Sequence, residues 1–416
     1  MVPNGWTLTS LGKLCDINPK KVKKPENGKV SFIAMNQLSE EGQLISHLPR
    51  EYEEVSKGFT SFKDGDVLVA KITPCFENGK GALVHGLTNG VGFGSTEFHV
   101  LRAKENTSPE FIYYLTRTKE LRVRGENNMQ GSAGHRRVTP DYFNAYKVLT
   151  PPLPEQRKIA KILSTWDKAI SATERLIDNN KQQKKALMQQ LLTGKKRLLD
   201  DSGKPFEGVW EDLYLHDVAK IIVSPVDKKI VEGEIPVELC NYTDVYYNTR
   251  ITNSIEFMKA TAKQSEIDKY TLQVNDVIIT KDSETPGDIA IPALVSEDLG
   301  GTVCGYHLAI IRPNSQLVEG AYLNYLFSMQ KTRYYFFTLA TGATRFGLSI
   351  GGINKAHFTL PPLEEQQRIA AVLTNSDREI ELLEQQLADL KQEKKALMQQ
   401  LLTGKRRVNV DDKEVA

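Results

Sequence analysis

The fourteen residues KKALMQQLLTGKKR at 184–197 recur as KKALMQQLLTGKRR at 394–407, 210 positions later and with a single lysine-to-arginine change. A period this long is not a solenoid unit, whose repeats run to a few dozen residues, so whole halves of the chain are repeated. The match reaches back through PPLPEQRKIAKIL (151–163) and PPLEEQQRIAAVL (361–373). Across 151–197 and 361–407 it keeps 26 of 47 residues identical without a gap. Loops accept insertions, whereas a packed helix loses its register, so gapless matching points to two continuous helices.

Their apolar spacing agrees. Ile159, Leu163, Trp166, Ile170, Thr173, Ile177, Asn180, Lys184, Leu187 and Leu191 alternate steps of four and three. Their counterparts are Ile369, Leu373, Ser376, Ile380, Leu383, Leu387, Leu390, Lys394, Leu397 and Leu401. This is a heptad seam, the pattern of a coiled coil. Pro154 suits a first helical turn, and Gly194 and Gly404 suit helix stops. Helices of about 40 residues would run roughly 60 Å at 1.5 Å per residue. Thr173, Asn180 and the Lys184/Lys394 pair interrupt the apolar seam, and polar seam residues of this kind set register and partner number.

The segments before the helices are related more faintly. FKDGDVLVAKITP (62–74) aligns with LQVNDVIITKDSE (272–284), again at offset 210, matching Asp66 to Asp276 and Lys71 to Lys281. Both read as a polar turn, a β-branched strand and a charged residue at the strand exit. Trp6 and Leu11 match Trp210 and Leu215 at offset 204, so a loop has changed length. The organisation is a mixed α/β domain over 1–150, a heptad helix over 151–200, a second α/β domain over 201–360, and a second heptad helix with its tail over 361–416. The helices stay alike and the domains diverge. Alike helices suit a shared scaffold or one partner docking twice, and unlike domains suit two ligands or two halves of one ligand.

Length and composition fit more than one globular core: 416 residues, 25% charged and 40% hydrophobic. The opening MVPNGWTLTSLGKL shows no signal peptide and no run approaches a membrane span, so a cytoplasmic protein is expected. Cys15, Cys75, Cys240 and Cys304 are scattered, which suits a reducing compartment and no structural zinc. Residues 1–200 hold 31 basic against 21 acidic side chains, and 201–416 hold 23 against 31. Charge alone supports nucleic-acid binding weakly for the first half.

Motifs for catalysis are missing. The chain has no phosphate-binding GxxxxGK[ST], no HExxH, no GxSxG and no Asn/Asp-Pro-Pro-aromatic run of an amino-methyltransferase. GFG at 92–94 reads as a tight turn, and the nuclease-like spacing of Glu393 and Lys395 falls on a solvated helix face. The expectation is a chain with no catalytic residue, no metal ligand and no cofactor of its own.

Contacts to DNA are the remaining chemistry. NPKKVKKPENGK (18–29) is a basic loop able to follow phosphates. GSAGHRRVTP (131–140) sets His135, Arg136 and Arg137 on a glycine-rich stretch, and its offset partner TGATRFGLSI carries Arg345. Arginine on flexible glycines can reach guanine edges with a fork of donors. Lys71 and Lys281 at matching strand exits complete the candidates. Ion pairing within the fold explains each of these alone equally well.

Two variable domains of about 150 residues, each followed by PPLxEQxxIAxxL and a helix ending in ALMQQLLTGKxR, resemble the specificity subunit of type I restriction-modification systems. The resemblance spans nearly the whole chain. It implies two target recognition domains, each reading one half of a split sequence in double-stranded DNA. It implies helices paired antiparallel as a spacer, giving one chain a pseudo-twofold axis. It further implies modification subunits, two of them, that carry S-adenosylmethionine and methylate adenine, and restriction subunits that use ATP and Mg. A stand-alone bivalent DNA-binding regulator and a coiled-coil scaffold without nucleic acid are the competing readings.

Overall fold

The computed structural model describes residues 2–132 and 134–410. The chain divides into two compact units, one running to Glu174 and resuming at Gln385, the other spanning Arg175–Glu384. These units cut across the four linear segments. Each takes one α/β domain together with half of each long helix.

In the first unit, two four-stranded sheets share the domain. One runs Cys15–Ile17, Phe98–Ala103, Asp66–Ala70, Gly81–Leu83, and the other Leu48–Glu51, Lys29–Ile33, Val91–Gly94, Thr60–Lys63. Asp66–Ala70, the strand read from DVLVA, is buried at every position, as a central strand covered on both faces must be. Helix Pro109–Thr116 packs on that sheet, with Ser108 accepting from Phe111 N as its cap. A short antiparallel ribbon, Thr7–Ser10 with Lys147–Thr150, closes the domain where the long helix begins.

The second unit builds a five-stranded sheet in the order Ala219–Val223, Leu308–Pro313, Val277–Thr280, Pro292–Val295, Arg250–Ile251. Beside it are a three-stranded sheet and the ribbon Glu211–Tyr214 with His357–Leu360. Val277–Thr280 is again buried throughout. Both central strands begin with the same ion pair. Arg102 makes two bonds to Asp66, at 2.8 and 2.7 Å, and Arg312 makes two to Asp276 at the same distances.

Both heptad segments are single helices of 39 residues, Leu153–Leu191 and Leu363–Leu401. Each ends short of a glycine with positive φ, Gly194 at 68° and Gly404 at 69°, a conformation glycine adopts without steric cost. The helices pair antiparallel within both units. In the first, Lys394 bonds Asp167, and Lys391 lies 2.8 Å from Glu174. In the second, Lys184 bonds Asp377, and Lys181 lies 2.7 Å from Glu384. As residue numbers rise along one helix, those of their partners fall along the other. The seam lysines therefore meet carboxylates rather than each other. Each also lies over a tyrosine ring whose hydroxyl donates to the same aspartate: Tyr114 to Asp167 and Tyr325 to Asp377, both at 2.6 Å.

The seam changes character along its length. Ile159, Leu163 and Leu401 are buried among Trp6, Leu11, Phe111 and Leu115, with Leu397 packed against them. Ile369, Leu373 and Leu191 are buried among Leu215, Tyr322 and Phe327, with Leu187 alongside. Nearer the middle, Ile177 and Ile380 are buried, while Ile170 and Leu387 are half-buried. The helix ends are thus parts of the domain cores, and only the centre depends on helix against helix.

The shared PPLxEQ motif explains how each helix is fixed to its domain. Gln156 Oε1 accepts from Ser108 N at 3.0 Å while its amide donates to Pro151 O at 2.9 Å. Gln366 repeats this with Glu319 N at 3.0 Å and Pro361 O at 2.8 Å. The preceding glutamates, Glu155 and Glu365, are buried and receive Arg407 and Arg197 from the ends of the repeated fourteen residues.

Candidate nucleic-acid interface

The central strands deliver Lys71 and Lys281 to matching positions at their exits. In the first unit Lys71 N donates to Glu97 O and Val138 N donates to Lys71 O, both at 2.9 Å. In the second, Lys281 N donates to His307 O and Leu348 N to Lys281 O, again both at 2.9 Å. The four positions keep the offset of 210, so one backbone frame is built twice. The side chains on it differ.

On the first frame, Arg137 closes on Glu97 through Nε and Nη2, both at 2.9 Å, and its Nη1 donates to His135 O. This bond holds the Glu97 carboxyl below the usual carboxylate range. Arg136 Nη2 stands 3.8 Å from Glu77, and His135 is exposed at the hairpin tip. His99 sits beneath, its Nε2 donating to Val138 O at 2.8 Å; burial pulls its pKa down, leaving the ring neutral near pH 7.

On the second frame, Asp282 is the hub. Arg345 Nη2 donates to its Oδ1 at 2.9 Å, Lys281 Nζ lies 3.2 Å from its Oδ2, and His307 bonds it through Nδ1. Burial outweighs Asp282 in pulling the His307 pKa down. Around this hub Tyr242 and Tyr246 stack with ring centroids 5.5 Å apart, and Tyr242 donates to Ser283 Oγ at 3.2 Å.

So the fold groups Lys71 with Arg137 around Glu97, places Arg136 next to Glu77, leaves His135 outside these pairs, and joins Lys281 with Arg345. The acids that hold Arg137, Arg345 and Lys281, namely Glu97 and Asp282, were not among the sequence candidates. Asp282 directly follows Lys281 and was open to notice; Glu97 is 26 residues from Lys71 and comes near it only through the sheet. An arginine already held in a fixed fork loses less freedom on meeting a base edge than a free one.

Among the described residues there is no group of three or more His, Cys, Asp or Glu able to hold a metal, and no helix is long and apolar enough to cross a membrane.

A mixed α/β domain and a 39-residue helix each occur twice in the chain. The family model described as "Type I restriction modification DNA specificity domain" matches residues 3–181 and again 208–392, so the chain belongs to that family and carries its domain twice. The specificity subunit of type I restriction enzyme EcoAI of Escherichia coli is 37% identical over 160 residues, 38% of this chain and 27% of that protein. That of EcoEI, also of Escherichia coli, is 36% identical over 178 residues, 42% of this chain and 29% of that one. The match therefore spans less than a third of either relative. The putative type I restriction enzyme MjaX specificity subunit of Methanocaldococcus jannaschii is 26% identical over 371 residues, covering 83% of this chain and 79% of its own. Two solved structures share the fold over 97% of this chain and 98% of theirs. They are the HsdS subunit from Thermoanaerobacter tengcongensis, at TM-score 0.51 and 21% identity, and the type I restriction-modification S subunit from M. genitalium, at 0.57 and 14%.

Proposed function

We propose that this chain is the DNA-specificity subunit of a type I restriction-modification enzyme, with each domain reading one half of an asymmetric, two-part target. The observation that carries the reading is the pairing of sameness and difference. One family domain occurs twice on one backbone frame, yet the side chains at its strand exits are Lys71, Glu97 and Arg137 in one copy and Lys281, Asp282, His307 and Arg345 in the other. Unlike heads on like frames suit two different base sequences. Phosphate contacts would place each domain, and the arginine forks would supply the base contacts.

The chemistry is assigned to partners. Modification subunits, two by the pseudo-twofold repeat, would bring S-adenosylmethionine, and restriction subunits would bring ATP and Mg, all in the cytoplasm. Docking falls on the repeated segments. Lys185, Gln189 and Gln190 are exposed, as are Lys395, Gln399 and Gln400, and each is identical to its counterpart although no burial requires it. A partner binding twice would require it.

The test is to express the chain with the modification subunit of its own system and map methylated adenines. A two-part motif, of which only one half changes when residues 201–360 are exchanged for another such domain, supports the reading. Methylation independent of this chain would refute it. Sequence-specific binding by the isolated chain, with no effect of a methyltransferase partner, would favour the stand-alone regulator, for which the family membership offers no support.

A further inference from the structure

The first unit holds a cleft of about 1000 Å³, lined by its parts of the two long helices and by the flank of its α/β domain. On one helix Lys391, Lys395, Met398 and Leu402 face it in steps of four and three. Asp167, Ile170 and Glu174 face it from the other. Stripes of this spacing form a seam that accepts a further helix. From Lys391 to Thr403 the wall runs about three turns, roughly 18 Å at 1.5 Å per residue. The domain wall is apolar. The ribbon sets Leu8 opposite Leu149, and helix Lys119–Asn127 adds Val123. Leu8 is 59% exposed and Val123 43%, so apolar surface there faces water.

The carboxylates on the cleft are mostly spent within the fold. Lys394 holds Asp167, Lys391 holds Glu174 at 2.8 Å and Arg124 holds Glu120 at 2.6 Å, which leaves Glu41. Lys119, Lys147 and Lys395 are exposed on the cleft, and none of them pairs with a carboxylate among the described residues. The field left over is positive, and it complements an apolar helix edged with Asp or Glu.

The second unit repeats one wall and changes the other. Every long-helix residue on the cleft is identical at offset 210, among them Ile380 for Ile170, Lys185 for Lys395 and Gln189 for Gln399, whereas the helical segments as a whole keep 26 of 47. On the domain side, Asp212 and Thr359 stand in the places of Leu8 and Leu149 and bond to each other at 2.6 Å. His357 replaces Lys147. Counting from the matched Tyr114 and Tyr325, Gln330 replaces Lys119 and Tyr334 replaces Val123.

We propose that this cleft seats a helix of the modification subunit, apolar on one edge and acidic beside it, and that it is the tighter of two seats for that one partner. The inference rests on the function proposed above; it adds which surface holds the partner and why two copies are held unequally. The shared helix wall gives both seats the same contacts. The leucines and lysines of the first domain then add apolar area and charge that Asp212, Thr359, Gln330 and His357 do not supply.

The experiment titrates the full-length chain with the modification subunit of its own system and counts bound copies by native mass spectrometry. Two steps are expected, with Kd values about tenfold or more apart. Leu8→Asp and Lys147→Glu should each weaken the tighter step toward the weaker one and leave the weaker step as it is. Asp212→Leu should tighten the weaker step. Lys147 is exposed, so its variant keeps the test open should Leu8→Asp fail to fold. Two equal steps in the unmodified chain overturn the proposal, and so do steps that ignore both first-unit variants or weaken together. Each of these leaves the specificity function standing. Failure of the modification subunit to bind at all overturns both ideas. Self-association of the chain alone, abolished by Leu8→Asp, gives the cleft to a second copy and overturns the proposal as well.

Discussion

Arg407 donates to both carboxylate oxygens of Glu155, Nε to Oε1 at 2.7 Å and Nη2 to Oε2 at 2.9 Å, although 252 positions separate the two residues. Trp6 Nε1 donates to the same Oε2 at 3.0 Å, and the guanidinium lies over the Trp6 ring. Arg197 treats Glu365 in the same way at 2.6 and 2.7 Å and lies over Trp210. The end of each repeated fourteen-residue segment thus locks the start of the other long helix. That is why the two copies conclude alike.

Removing one partner leaves a buried carboxylate unpaired. Arg407→Ala should cost the first unit about 1–3 kcal/mol, discounted from the full buried-pair value because Arg407 is itself part-exposed. Arg197→Ala should cost the second unit a similar amount. Calorimetric unfolding should show Arg407→Ala lowering the transition of one unit by several degrees and Arg197→Ala that of the other. A shift shared equally by both transitions would contradict two self-contained clamps.

His99 gives a pH dependence. Burial lowers its pKa in the folded chain below the ordinary 6.5, so below 6.5 the unfolded chain takes up more protons. Its contribution to stability is complete above pH 6.5 and is lost as pH falls through the lower, folded value. Denaturant titrations from pH 7.5 to 5 should show this loss, and His99→Gln should flatten it. An unchanged pH slope in the variant would refute the assignment.

The two arginine heads should act on different halves of the target. Arg345→Ala should relax methylation at one half-site and Arg137→Ala at the other, since a bidentate arginine on a base edge supplies about 1–3 kcal/mol of discrimination. Asp282→Asn should relax the Arg345 half alone, since it loosens the fork without removing it. Equal weakening at both half-sites from either arginine variant would point to damaged folding or to unspecific phosphate binding.

How far the sequence revealed this varied with the range of the interaction. Periodicity located both long helices, because Ile159 through Leu191 meet neighbours at a fixed helical spacing. It identified Lys184 and Lys394 as register-setting residues, but their partners Asp377 and Asp167 follow only from antiparallel pairing. The PPLxEQ motif stood out by its repetition, yet its purpose needed Trp6 and Arg407, which lie at opposite ends of the chain. Glu97 and Asp282 escaped notice for a related reason. They occupy unlike places on a shared backbone frame, so aligning the halves sets Glu97 against His307 and Asp282 against Ile72, with no matching acid to flag either.

The most direct test lengthens the paired helices. One heptad inserted between Glu174 and Arg175 and another between Glu384 and Gln385 keeps both seams in register and adds roughly 10 Å of helix. With the modification subunit present, mapped methylation should keep both half-sites and widen the gap between them by about three base pairs, at 3.4 Å each. Methylation at the original gap would contradict the claim that the helix pair sets the spacing of two readers.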